Sequence, residues 1–197
     1  YKMASTPAIA IADNGTVAAA NVATGAVNQV LIKFSAAVST ANATLNTLAF
    51  TTAGTYDAND LTNLKLWYST DATLDTGSDS TLSTISSPAA AGAKSFSSLS
   101  QTINSGSTGY FFITADVAGS ATYGNTVSIN AIANGDLTFA SGTVSGGPTS
   151  AGGAQTFISA APTANGTVGS FTSVGADAMT VNWTSGNGER RIVVVRS

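Results

Sequence analysis

Six oxygen-bearing side chains in two short stretches are the strongest candidates for chemistry in this chain. The stretches are YDAND at 56–60 and DATLDTGSD at 71–79, and each offers the hard oxygen ligands that Ca²⁺ prefers. The candidate ligands are Asp57, Asn59 and Asp60 in the first stretch and Asp71, Asp75 and Asp79 in the second. Neither stretch has the EF-hand spacing with its closing glutamate. The alternatives are therefore calcium, the one cofactor that the sequence suggests, or plain turn-forming residues with no cofactor.

Catalysis would require groups that this sequence lacks. It contains no His and no Cys, which excludes Ser-His-Asp and Cys-His arrangements. A Ser-Lys dyad would need a lysine held in a cleft, whereas Lys33 and Lys65 are predicted to be solvent-facing strand residues. Paired aspartates can hydrolyse glycosides, but here they lie among Ser, Thr and Gly rather than on rigid elements. We therefore expect a protein that is not an enzyme.

Aromatic side chains offer a second kind of candidate site. Trp67, Tyr56 and Tyr123, together with Tyr68, could form a platform for a glycan. The alternative is packing in the core. Because Trp67 and Tyr68 are neighbours on one predicted strand, they must face opposite sides of a sheet, so at most one of them lies on the surface.

The triplet Asp79-Ser80-Thr81 is a candidate for covalent modification. It resembles the short acidic O-glycosylation signal of Bacteroidetes, which implies a sugar on Ser80.

Composition excludes several classes of partner and favours an exported protein. Only 9% of the 197 residues are charged, the net charge is −3, and the basic residues form no cluster. Nucleic acid is therefore not an expected partner. No apolar run approaches the roughly 18–20 residues of a membrane span. The low charge, with Ser, Thr, Asn and Gly supplying the polarity, favours an extracellular or cell-surface location.

The elements that must position these residues are predicted to be β-strands. Alternating patterns occur at 30–35 and 64–68, and 109–117 is apolar on both faces, as in a central strand. Residues 17–23 are predicted to be a loop or strand, and 71–87 and 142–153 to be exposed loops. Further predicted strands are 8–12, 45–51, 95–103, 126–132, 137–140 and 154–158. This pattern predicts an all-β, antiparallel β-sandwich of the immunoglobulin or jelly-roll kind over residues 1–160.

A second, incomplete module is predicted over 161–197, after a linker that contains Pro162. Its predicted strands are 167–172, 178–184 and 190–196, with a turn at 185–188. Three strands do not close a sandwich. The apolar run Ile192, Val193, Val194 and Val195 is therefore a predicted assembly edge, which further sequence or another chain would complete.

Two family resemblances extend this interpretation. The stretch QVLIKFSAAVSTANATLNTLAFTTAGTYDANDLTNLKLWYSTD and the later GYFFITADVAGSATYGNTVSI, about 25–132, resemble the β-sandwich module associated with BNR-repeat sialidases and Bacteroidetes-type secreted surface proteins. The stretch MTVNWTSGNGERRIVVVRS is similar to the first strands of a fibronectin type III domain, with Trp183 at the position of a buried tryptophan. Both resemblances imply accessory, spacer or adhesive modules without catalytic residues.

The sequence thus predicts a non-enzymatic structural or adhesive module of a bacterial extracellular surface protein or self-assembling filament. Its expected partners are neighbouring modules or copies of itself. The alternative is an accessory carbohydrate-binding module of a secreted hydrolase, with a glycan as partner.

Overall fold

The computed structural model describes residues 5–186, and its regular structure is β apart from one 3-10 turn at Asn134–Asp136. The chain forms two compact units, Tyr1–Ile158 and Ser159–Ser197. The strands of the first unit are β1 Ala8–Asp13, β2 Ala20–Ala23, β3 Gln29–Ser39, β4 Ala43–Ala53, β5 Leu61–Ser69, β6 Ser80–Ser86, β7 Gly92–Phe96, β8 Gln101–Ile103, β9 Thr108–Val117, β10 Thr126–Ile129, β11 Leu137–Phe139, β12 Thr143–Ser145 and β13 Gln155–Ile158. Those of the second are β14 Thr167–Thr172 and β15 Thr180–Thr184.

The first unit is a sandwich of two sheets, which confirms the predicted fold class. One sheet has six strands in the order β12-β1-β3-β9-β5-β6. The other has seven, in the order β11-β4-β10-β13-β2, with β7 and β8 also paired to β4. Most pairs are antiparallel, but β1 pairs with β12 and β13 pairs with β2 in parallel, so the sheets are mixed.

The core lies between the two sheets and is built from aromatic and branched side chains. The rings of Phe34 and Phe111 stack within one sheet, with centroids 5.3 Å apart. The rings of Phe50 and Phe96 stack within the other, at 4.9 Å. Strand β9 lies between β3 and β5, and its last seven residues are all buried. The apolar pattern at 109–117 therefore indicated a central strand correctly.

Two predicted loops contain strands. Residues 80–86 of the predicted loop 71–87 form β6, which pairs with β5 at the sheet edge. Residues 143–145 of the predicted loop 142–153 form β12, which pairs with β1. Both strands consist mainly of Ser and Thr, and their apolar residues Leu82, Ile85 and Val144 are only partly buried against the core. They therefore lack the alternation that reveals a strand in a sequence.

One predicted strand is divided in two. Residues 95–103 fall into β7 and β8, and the chain between them turns at Ser98, whose φ is +57°. A residue in the left-handed region cannot continue an extended strand. The two pieces nevertheless pair with the same strand, β4, at different positions along it: β7 with residues 48–52 and β8 with residues 43–45.

The second unit contributes one antiparallel pair, β14 with β15, to the described residues. The predicted strand 190–196, with the assembly edge Ile192–Val195, lies outside them. Trp183, expected to be buried from the fibronectin resemblance, is instead 49% exposed. Among residues 5–186, no helix has the length and apolarity to span a membrane.

Candidate functional site

A polar groove at one end of the sandwich is a concave candidate site in the first unit. It lies where β5 and β8 end and β9 begins, and its volume is about 380 Å³. The lining side chains are two tyrosines and five small polar residues, none of them charged: Tyr68, Thr70, Thr102, Asn104, Ser107, Thr108 and Tyr110. Such a surface presents hydroxyl groups, an amide and aromatic rings to solvent.

Tyr68 is held in place in this groove by its neighbours. Its ring meets the core ring of Phe111 edge-on, at 5.5 Å and 62°. It also lies against Gly109, where an added Cβ would stand 2.6 Å from Tyr68 Cε2. Burial raises the pKa of the Tyr68 hydroxyl, and a hydrogen bond with Gln101 opposes this only in part. The hydroxyl is therefore neutral at physiological pH, and the ring is held by Phe111 and Gly109.

Most of the small polar groups of the groove are free to meet a ligand. The Thr102 hydroxyl bonds that of Thr44 at 2.9 Å. By contrast, no hydrogen bond within residues 5–186 engages the side chains of Thr70, Asn104, Ser107 and Thr108. The sequence does not reveal these residues, because they come from two distant stretches, around 70 and at 104–108, that only the fold brings together. The glycine inside strand β9 was the one available signal, since such a glycine marks a close approach.

Asp60, a predicted calcium ligand, is buried and fully engaged by the protein. Its carboxylate accepts hydrogen bonds from the Thr122 amide at 2.7 Å, the Asn125 side chain at 2.8 Å and the Asp57 amide at 3.0 Å. Burial alone would raise the pKa of Asp60, but the bonds from Asn125, Thr122 and Asp57 outweigh it and lower the pKa. Asp60 thus joins the β4–β5 and β9–β10 connections as an internal anchor.

The other predicted calcium ligands form local turns. Asp57 accepts from the Asn59 amide at 2.8 Å, and Asp71 accepts from the Thr73 amide at 2.8 Å. Asp79 caps the Asp75 amide at 2.7 Å. Asp75 accepts from the Gly77 amide, which is the first of the hydrogen bonds that lower the pKa of Asp75. In the described part of the chain, no three acidic side chains converge as a metal site. Calcium binding remains a prediction.

Of Trp67, Tyr56 and Tyr123, which were predicted with Tyr68 to form an aromatic platform, the first two are buried. Trp67 is 6% exposed and donates its indole N–H to the Thr114 hydroxyl at 2.9 Å. Tyr56 is 2% exposed and bonds Thr52 at 2.7 Å, and burial raises its pKa. Tyr123, at 49% exposed, is the member of the three that presents its ring to solvent. Trp67 and Tyr68 do face opposite sides of the sheet, as expected: Tyr68 packs against the core and Trp67 does not.

A second buried carboxylate organises the outer face of the six-stranded sheet. Asp116 pairs with Lys65 at 2.7 Å and accepts from the Asn63 side chain at 2.9 Å and the Asn28 amide at 2.8 Å. Burial would raise the pKa of Asp116, but these partners, Lys65 foremost, lower it. Lys65 also donates to Asn28 Oδ1 at 2.9 Å. Lys65 is therefore a partly buried ion-pair partner, not the free solvent-facing residue predicted.

The described strands of the second unit form an amphipathic two-stranded sheet. Val168 lies opposite Trp183 and Phe171 opposite Val181, and a β-bulge between Val168 and Phe171 keeps these four residues on one face. Val168 is 72% exposed and Phe171 57%. On the opposite face, the Asn182 side chain donates to the Ser170 carbonyl and the Thr172 hydroxyl. We call the first surface the apolar face of β14–β15.

Ser80, the predicted glycosylation site, is exposed at the start of edge strand β6. Its position leaves the hydroxyl accessible, and the modification itself stays a prediction.

No family model and no curated protein matches this chain. A chain from the crystal structure of a complex between a CaDoc0917 variant and CaCohA2 at pH 5.5 is similar, with 15% identity and a TM-score of 0.30. The match covers 76% of this chain and 99% of that one. Similarity at this level bears on neither function nor family.

Proposed function

We propose that this chain is a non-enzymatic structural or adhesive module of a bacterial extracellular surface protein or self-assembling filament. The observation that supports the proposal is the apolar face of β14–β15, on which Val168, Phe171 and Trp183 are between 49% and 72% exposed. Large apolar side chains that lie side by side and remain exposed mark an interaction site. We therefore expect another protein surface to pack on this face.

Two features favour a cover supplied by another β-module. An isolated two-stranded sheet is marginally stable in water and gains stability when a further layer packs on it. The second unit carries two acidic and three basic side chains, so its charges nearly cancel and like-charge repulsion between identical units is weak. For the isolated chain, we propose that the occupant is the same face of a second copy.

The first unit supports the same function as a rigid spacer. Its two buried carboxylates, Asp60 and Asp116, are both engaged by protein donors that link separate segments. Within residues 5–186, no buried side-chain nitrogen or oxygen lacks a hydrogen-bond partner. Satisfied polar networks of this kind rigidify a fold. The low charge of the chain supports an extracellular or surface location, which belongs to the same proposal.

The assembly part of the proposal is tested by measuring the mass of the 197-residue chain in solution as its concentration rises. We expect reversible growth beyond the monomer, accompanied by a blue shift of tryptophan emission. Trp183 should carry that shift, because Trp67 is already buried. The double variant Val168→Thr/Phe171→Thr keeps β-propensity while removing apolar area, and it should remain monomeric.

Val27→Thr is the matched control, since Val27 is 69% exposed but belongs to the first unit. It should associate like the unmodified chain. A constant monomer mass with unchanged emission would overturn the assembly proposal, and so would association that the double variant leaves intact.

A further inference from the structure

We propose that the groove between the ends of β5 and β8 and the start of β9 binds a neutral carbohydrate. This goes beyond the structural role above, and of the residues first considered for glycans the site contains Tyr68 alone. Trp67 and Tyr56 are buried, whereas Tyr68 and Tyr110 both line the groove.

The absence of charge from the lining selects the class of ligand. All seven lining side chains are uncharged, so neither a phosphate nor a carboxylate would meet a counter-charge there. A cationic ligand would likewise meet no carboxylate. Hydroxyl and amide groups both donate and accept hydrogen bonds. They match the hydroxyl groups of a neutral sugar, which do the same.

The unengaged polar groups supply the hydrogen bonds that such a ligand requires. Thr70, Asn104, Ser107 and Thr108 reach the groove from the end of β5, the β8–β9 turn and the start of β9. Together they present three hydroxyl groups and one carboxamide from different directions. Polar groups that line one pocket and make no hydrogen bond to the surrounding protein can orient a small ligand.

Tyr68 and Tyr110 border these polar groups from opposite faces of the six-stranded sheet, because Tyr68 pairs with Phe111 and Tyr110 with Ser69. Sugar rings have C–H faces, and aromatic side chains present large, rigid surface at low entropic cost. Tyr68 is fixed by Phe111, Gly109 and Gln101, so little ordering would accompany binding. The volume of about 380 Å³ lies near the lower end of the range of about 300–1,000 Å³ for small-ligand sites. One or two sugar units are the expected occupants.

The experiment is an NMR titration of the ¹⁵N-labelled 197-residue chain with neutral oligosaccharides. The panel contains cello-, manno-, xylo- and chito-tetraose, with sialyllactose and a heparin tetrasaccharide as charged comparisons. We expect saturable shifts of the amides of residues 102–110 with at least one neutral sugar and none with the charged pair.

Three variants identify the residues responsible. Tyr110→Ala and Asn104→Ala should each weaken binding at least tenfold. Asn104 is exposed on the turn, so its variant gives a result even if the tyrosine variant is unstable. Tyr123→Ala is the matched control, since Tyr123 is 49% exposed and outside the groove, and it should bind normally.

The proposal is overturned by the absence of saturable shifts with all four neutral sugars, or by binding that neither variant weakens. It is equally overturned if only the charged sugars bind. None of these outcomes depends on the apolar face of β14–β15, so the result stands apart from the test of self-association.

Discussion

Asp60 shows how burial decides what a carboxylate does. In the sequence it lies among other oxygen ligands, which is why YDAND indicated calcium. In the fold its residue is 1% exposed and its oxygens accept three hydrogen bonds from protein donors. The sequence indicated that Asp60 stands at the start of a strand. It could not predict the partners Thr122 and Asn125, which are 62 and 65 positions away, because those contacts form only in the complete sandwich.

Replacing this carboxylate yields a prediction with a defined pH dependence. In Asp60→Asn one carboxylate oxygen becomes an NH₂ group, which cannot accept a hydrogen bond from the protein donors that face it. We therefore expect a loss of about 1–3 kcal/mol in the free energy of unfolding at pH 7. The folded-state pKa of Asp60 is lowered. Its contribution is therefore present above the unfolded-state pKa of about 3.9 and is lost as the pH falls through the folded value. Urea titrations at several pH values should show the two proteins converging below about pH 4.

Asp57→Asn is the control for that series. Asp57 is exposed and its side chain caps one local amide, which an asparagine oxygen can also do. We expect its stability to follow the unmodified chain to within about 0.5 kcal/mol. An Asp60→Asn variant with unchanged stability at pH 7 would contradict the anchoring role.

At the scale of the strands, alternation of apolar residues was a reliable guide only where one face packs on the core. Strands β3 and β5 carry that pattern, and the predicted stretches 30–35 and 64–68 lie inside their observed bounds, 29–39 and 61–69. Strand β6, STLSTIS, lies at a sheet edge and has no buried residue. Its pairing with β5 supplies backbone hydrogen bonds that no side-chain period records. The two strands that the sequence concealed, β6 and β12, therefore both lie at an edge of the six-stranded sheet, whereas the edge strand β11 was predicted at 137–140.

Gly109 links a strand to the groove and gives a second prediction. Gly109→Ala would place a Cβ 2.6 Å from Tyr68 Cε2 and 3.0 Å from Ile103 Cδ1. The ring must move, and we expect a loss of about 1–3 kcal/mol from overpacking, together with a changed environment of Tyr68 in near-ultraviolet circular dichroism. Gly119→Ala is the control, since nothing lies within 4 Å of its added Cβ. Equal stability of the two variants would refute the packing of Tyr68 on this glycine.

At the scale of the whole molecule, sheet order was beyond local sequence patterns. Strand β9 lies between β3 and β5, although β4 through β8 separate it from β3 in the chain. Hydrophobic periodicity identifies which face of a strand is buried, but not which strand lies beside it. The position of the groove depends on that order, because its residues come from β5, the β8–β9 turn and β9. The class of fold was therefore predictable and the site was not.

The two units should differ sharply in local stability, and hydrogen exchange measures this directly. Strand β9 pairs on both sides and is buried along most of its length, so its amides should exchange slowest. All six residues of β14 are exposed, so its amides should exchange fastest in dilute solution. Raising the concentration should slow exchange in β14 and β15 while leaving β9 unchanged, if a second copy covers their apolar face. Protection of β14 equal to that of β9 at the lowest concentration would mean that this face is already covered within one chain.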